Sequence, residues 1–137
     1  MSESIAVVTS DNVSRDDLAA FIQSRGGFIT PERLLFGRFS NHDRHVWIGV
    51  DESLLEGYRE DEEMQNTLDA IRRKLGGEPQ TSVIINISRT SGSEQLAADF
   101  VQSFAERWTC VVDDLHGNIF SVEEFARQQK SLTPAAA

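Results

Sequence analysis

The sequence predicts an α+β fold, a single domain in which a mixed β-sheet is packed by helices in the order βαββαβαβα. Three observations carry this. The chain has 137 residues, close to the ~100–150 of a common single domain. Short β-branched runs alternate with stripes of apolar residues at helical spacing. Residues 34–50 read as a hairpin, which sets an antiparallel pair beside the parallel neighbours that βαβ crossovers call for. The first six elements spell the ferredoxin-like order βαββαβ, and an αβα extension follows.

Each element has its own signal. Ile5-Ala6-Val7-Val8 is a short apolar strand ended by Thr9-Ser10-Asp11-Asn12. Ser14 stands three residues before Asp17 as a capping box, and Leu18, Phe21 and Ile22 share the face of a helix that Gly26-Gly27 stops. Strands over Arg33 to Phe39 and His45 to Val50 flank the polar loop Ser40 to Arg44, with Val46, Ile48 and Val50 facing the core. Met64, Leu68, Ile71 and Leu75 stripe one helix, with Glu60 to Glu63 in its first turn, Arg72 to Lys74 in its last, and Gly76-Gly77 and Pro79 as its stop. Val83-Ile84-Ile85-Asn86-Ile87 reads as an inner strand covered on both faces. Leu96, Ala97, Phe100, Val101 and Phe104 stripe a helix, Cys110-Val111-Val112 is a short strand, and Ser121 with Glu124 caps a final helix through about Gln129. Ile85, Ile87, Val111, Phe100 and Phe104 are the expected core. No linker divides the chain, so the domain spans 1–130 and 131–137 is a frayed tail.

Composition excludes several classes. A hydrophobic fraction of 39% is too apolar for disorder, and no apolar run approaches the ~18 residues of a membrane span. The start of the chain shows neither a secretory nor a mitochondrial signal, so a cytoplasmic location is expected. The lone Cys110 excludes a disulfide scaffold and a cysteine zinc site. Eleven of the 13 basic residues are Arg, a bias typical of a GC-rich bacterial genome. The net charge of −9 disfavours direct binding of nucleic acid. Six of those net charges lie in the 13 residues from Asp51 to Glu63, where Asp51, Glu52, Glu56, Glu60, Asp61, Glu62 and Glu63 face one base, Arg59.

Chemistry-bearing clusters each have a structural alternative. Arg89 to Ser93 lies between a strand and a helix start, where free N–H groups can receive a phosphate, but Ser91 with Glu94 also reads as a capping box, which is preferred. His42, Asp43 and His45, joined by His116, are a candidate metal set, against solvated loop histidines. Asp113 and Asp114 follow a strand, where paired carboxylates can hold Mg²⁺ or act as acid and base with His116. Asp114 to Asn118 is equally turn chemistry, the preferred reading. Cys110 lies in an apolar strand without an activating base and reads as core filler. No nucleophile elbow, HExxH, P-loop or dinucleotide fingerprint is present, so no catalytic residue, cofactor or metal is assigned.

Trp47 shares a strand face with His45, Gly49 and Asp51, opposite Val46, Ile48 and Val50. Packing beneath a helix on the sheet's second face carries more weight for this ring; the functional reading makes it an interface anchor beside the acids, with Tyr58 as a second. For the acidic stretch the bland reading is a solubilising loop and helix start, and the functional one a docking surface for a basic partner.

The α+β layout, the acidic stretch Asp51 to Glu63 and the strand-turn-helix ending from Trp108 to Phe125 resemble the small acidic immunity proteins that bacteria encode beside polymorphic toxins of type VI or contact-dependent systems. The resemblance implies no catalytic residues. It implies a protein partner: a cognate toxin or effector domain, with a nuclease the expected class because its cleft must be basic to hold phosphates. Trp47, Asp51, Glu52, Glu56, Tyr58, Glu60, Asp61, Glu62 and Glu63 are then the expected contact residues, occluding the toxin's active site. The rival classes are a small enzyme with a phosphate ligand, using Asp113, Asp114 and His116, and a cytoplasmic regulatory or adaptor module binding through the same face.

Overall fold

In the computed structural model, which describes residues 3–132, the chain forms one antiparallel sheet between two helical layers. The strands are β1 (Glu3–Thr9), β2 (Phe28–Ile29), β3 (Gly37–Asn41), β4 (Arg44–Val50), β5 (Thr81–Ile87), β6 (Cys110–Asp113) and β7 (Ile119–Ser121), and the helices are α1 (Arg15–Ser24), α2 (Glu52–Glu60), α3 (Gln65–Leu75), α4 (Ser93–Arg107) and α5 (Val122–Leu132). The sheet order is β2-β3-β4-β5-β1-β6-β7.

The α+β class holds, but the sheet is not mixed: among the described residues every strand pair is antiparallel. The crossovers do make parallel strands, β1 with β2 and β5 with β6, but other strands are inserted between them. A second difference explains the rest. The chain leaves β4 and re-enters β5 at the same end of the sheet, where Val50 pairs with Val83. One helix laid along a sheet delivers the chain to the far end, whereas two helices, out and back, return it and make the next strand antiparallel. The single expected helix is therefore two, α2 and α3, separated by a 3-10 turn at Glu62–Met64. β5 then lies between β4 and β1, where a ferredoxin-like arrangement would join the hairpin directly to β1. Two short strands, β2 and β7, add to the expected five.

The hairpin is tighter than its sequence suggests. Asn41 pairs with Arg44, leaving only His42-Asp43 at the tip, with His42 at φ 59°. Strand β3 begins at Gly37 rather than Arg33, because residues 31–35 form turns.

The alternation of the strands sorts residues onto two cores. On one face Ile5, Val7, Val46, Ile48, Ile85, Ile87 and Val112 pack under α1, α4 and Phe125 of α5. Phe21, Phe100, Phe104 and Trp108 form an aromatic cluster there, with centroids 4.7–6.2 Å apart. On the other face Ala6, Val8 and Val111 meet Leu55 and Tyr58 of α2 and Leu68, Ile71 and Leu75 of α3. All five expected core residues are buried. The helix starts at Ser14 and Ser121 both show the reciprocal capping box. Helix α5 continues to Leu132, past the expected end, and the remainder of the expected tail, 133–137, lies outside the described residues. No helix among the described residues is long and apolar enough to cross a membrane.

Candidate functional site

The acidic stretch is a structured edge of the α2–α3 layer. Asp51 is the N-cap of α2, accepting from the backbone N–H groups of Ser53 and Leu54 at 3.0 and 3.3 Å. Asp61 ends α2 and caps the 3-10 turn, accepting from the Glu63 N–H at 2.9 Å. These two aspartates are what break one acidic run into two helices. The glutamates remain free for the surface. Glu52, Glu56 and Glu60 stand at i, i+4 and i+8 on α2, all exposed, and Glu62 and Glu63 continue the edge. Among the described residues no ion pair engages Glu52, Glu56, Glu60 or Glu62; the four ion pairs present use Glu106, Asp69, Glu78 and Glu124. Like charges at i,i+4 destabilise a helix by roughly 0.2–0.5 kcal/mol per pair, and Arg59, three residues after Glu56, offsets only one of the two like pairs, so this stripe is carried at a cost to stability.

Two expected contact residues separate from that ridge. Tyr58 is fully buried and donates its hydroxyl to the carboxylate of Asp113, so it is a core residue and not a surface anchor. The helical period that points Glu56 and Glu60 outward turns position 58 inward. Trp47 is half-buried and packs into neither core; its ring lies 5.6 Å from that of His45. It belongs to a part of the second face that α2 and α3 leave uncovered. There the pairing aligns Phe28, Arg38, Trp47, Asn86 and Ser4 in one row across the strands. Sequence reading did not find Phe28, which is 56% exposed, or Arg38, because their role depends on a row spanning five strands.

An open cleft of about 750 Å³ lies at the head of the ridge. Asp51 and Glu52 form part of one wall, and Leu34, 87% exposed, stands with Leu35 on another. Gly49 makes this possible, since a Cβ there would collide with the Leu34 carbonyl oxygen. Arg15 also lines the cleft, held by the carbonyls of Pro31 and Arg33 and lying 4.3 Å over the Phe36 ring.

The other clusters resolve into structural roles. Asp113 accepts from Tyr58 and, at 2.7 Å, from the Leu115 N–H, and is buried. Asp114 accepts from the His116 and Asn118 N–H groups and the Asn118 amide at 2.8–3.1 Å. Burial raises its pKa, but the bonds from Asn118 and His116 outweigh that and leave the carboxyl below its ordinary value. Both aspartates are thus spent on the turn, in which Leu115 and Gly117 take positive φ. His45 and His116 are parted by β5 and β1, three strand spacings or about 14 Å. Among the described residues no group of three His, Cys, Asp or Glu is placed to hold a metal. Burial pushes the Cys110 thiol up to about 12, which suits filler and not a nucleophile.

The preferred cap at Ser91 is corrected. Gly92, at φ 95°, is the N-cap of α4, and no side chain caps it. Ser93 is buried against the Ser88 hydroxyl, and the Arg44 guanidinium lies where a side chain at Gly92 would be. No protein-family model matches the chain, and neither a curated protein nor a solved structure matches it.

Proposed function

We propose that this chain is an immunity protein, which binds a toxin domain through the α2 edge and occludes its active site. The observation that carries the reading is the stripe Glu52, Glu56, Glu60 on α2, extended by Glu62 in the following turn: four exposed carboxylates with no ion-pair partner among the described residues, three of them on a helix that would be more stable without the repulsion. Such a stripe complements a cleft built to hold a phosphate backbone, so a nuclease domain is the partner class that fits it best. Asp51 and Asp61 contribute by holding the helix and turn that display it. Long-range attraction between the ridge and a basic cleft raises the encounter rate, while packed contacts beside the ridge set the lifetime of the complex.

The test is co-expression in a bacterial host with the product of the gene immediately upstream, which on this reading is a toxin that arrests growth when expressed alone. The wild-type chain should restore growth and co-purify with the toxin. The triple variant Glu56→Lys, Glu60→Lys, Glu62→Lys, shown to be folded by circular dichroism, should do neither. Full protection by that folded variant would remove the ridge from the interface.

A further inference from the structure

The helical layer that carries the ridge does not extend over the whole face beneath it. Beyond α2 and α3 no helix covers the sheet: the Leu34–Leu35 segment packs over Gly49, and past it the surface row runs Phe28, Arg38, Trp47, Asn86, Ser4, with Ser40 and His45 in the next row. Arg38 and Ser40 are exposed, while Trp47, His45, Asn86 and Ser4 are half-buried. A tryptophan that enters neither core, on a surface beside an exposed phenylalanine and an arginine, has the composition of a binding hot spot.

The chemistry of the row selects its occupant. Arg38 lies 5.3 Å over the Phe28 ring, and no acidic side chain pairs it among the described residues. Asn86 uses its oxygen to accept from the Ser4 hydroxyl, which leaves its NH₂ group as a donor. The His45 ring is fixed beside Trp47 by a 2.8 Å bond between Nδ1 and the Ser40 hydroxyl. None of the residues in these two rows is a carboxylate. The surface is therefore apolar, donor-rich and cationic, the reverse of the ridge on the same side of the sheet. A nucleic acid could stack on such rings, but a polyanion would have to approach beside the carboxylates of α2 in a chain of net charge −9.

We infer that the open row Phe28–Arg38–Trp47–Asn86 is a second contact for the same protein partner, taking a segment of it that carries carboxylates among apolar side chains. This rests on the immunity reading. The resulting interface is bipolar: bases of the partner meet the α2 stripe and an acid of the partner meets Arg38. Opposite charges at the two ends of one interface fix the orientation in which a partner can dock.

The experiment uses the full chain labelled with ¹⁵N and three probes: an acetylated, amidated pentapeptide Leu-Glu-Phe-Asp-Leu, its basic counterpart Leu-Lys-Phe-Arg-Leu, and an oligouridylate. The acidic peptide should shift the amides of Phe28, Arg38, Trp47 and Asn86. Arg38→Gln and Trp47→Ala should each weaken it at least about tenfold, Arg38→Gln serving if Trp47→Ala does not fold. The basic peptide should instead move Glu56 and Glu60. The inference is overturned if the acidic peptide leaves the row unmoved, if the oligouridylate binds there more tightly, or if the row shifts with protein concentration alone, which marks self-association. A basic peptide that leaves α2 unmoved while the acidic one still marks the row would remove the ridge reading and leave the row standing as an interface.

Discussion

The Tyr58 hydroxyl on α2 donates to the buried carboxylate of Asp113 on β6, joining the helix that displays the acidic stripe to the second face of the sheet, one strand in from the edge strand β7. Burial, the bond to Asp113 and the negative charges of Asp113 and Asp51 together hold the phenol's pKa above its ordinary value, so it remains a donor. The bond fixes how α2 is rotated, and through that which of its residues face outward.

Replacing Tyr58 by Phe keeps the ring and removes the donor, leaving one oxygen of a buried carboxylate without its partner. A loss of about 1–3 kcal/mol is expected in urea denaturation. Stability equal to wild type would mean that the bond contributes nothing net to the fold.

Phe104 touches Phe21, Phe100 and Trp108 and is fully buried. Phe104→Ala should cost about 3–5 kcal/mol, provided the neighbouring rings cannot collapse into the space. Chemical denaturation of the variant measures it, and a loss below about 1 kcal/mol would show a site able to repack.

What was legible in the sequence was local. Ile5 to Val8, Val83 to Ile87 and the stripe Leu68, Ile71, Leu75 declare their elements because side-chain periodicity depends on the backbone beside it. Ser14 with Asp17 and Ser121 with Glu124 work as caps for the same reason. Ser91 failed because Gly92 takes the left-handed conformation beneath Arg44, a contact 48 positions away. Asp61 was read as one more acid in a first turn, since a cap inside a run of carboxylates has no distinguishing neighbour. Sheet order was not legible: nothing near Val83 says that it will pair with both Val7 and Val50. Of the candidate site, the concentration of acids from Asp51 to Glu63 was legible as charge, whereas their stripe on α2, the inward turn of Tyr58 and the row through Phe28 and Arg38 were not, because a helix over Glu52–Glu60 has too few apolar positions to declare itself and the row exists only in the tertiary fold.

Glu124 gives a pH-dependent test. Its pKa falls from 4.5 to about 2, first through the 2.6 Å bond to Lys74 on α3 and then through the capping bonds with Ser121. A carboxyl whose folded pKa is depressed stabilises the protein above its unfolded value and loses that contribution as pH falls through the folded one. Glu124→Gln, which keeps an acceptor for the cap, should therefore melt below wild type at pH 7. The gap should close as pH drops from 4.5 towards about 2. A gap that does not change with pH would assign the effect to packing and not to the charge.

The stripe on α2 opposes stability and binding, and a single exchange separates them. Glu56 stands four residues after Glu52 and four before Glu60, so it takes part in both like-charge pairs. Glu56→Lys turns the two repulsions into two attractions, one of them with Glu on the N-terminal side, the better orientation, while Arg59, three residues on, changes from an opposite to a like charge and offsets about half of that gain. A gain of roughly 0.5–1 kcal/mol at low ionic strength is expected. The formal net charge changes only from −9 to −7, two charges for one exchange, so a change in overall solubility does not confuse the result. If the stripe steers a basic partner, the same variant should associate more slowly, and the difference from wild type should shrink as salt screens the ridge. Denaturation curves and association rates measured on one preparation give both signs together. A variant that is more stable and still binds at the wild-type rate would show the stripe to be a solvated helix face, and the immunity reading would lose its carrying observation. A variant that is more stable and slower to bind would show that the chain keeps an unfavourable charge arrangement because its partner requires it.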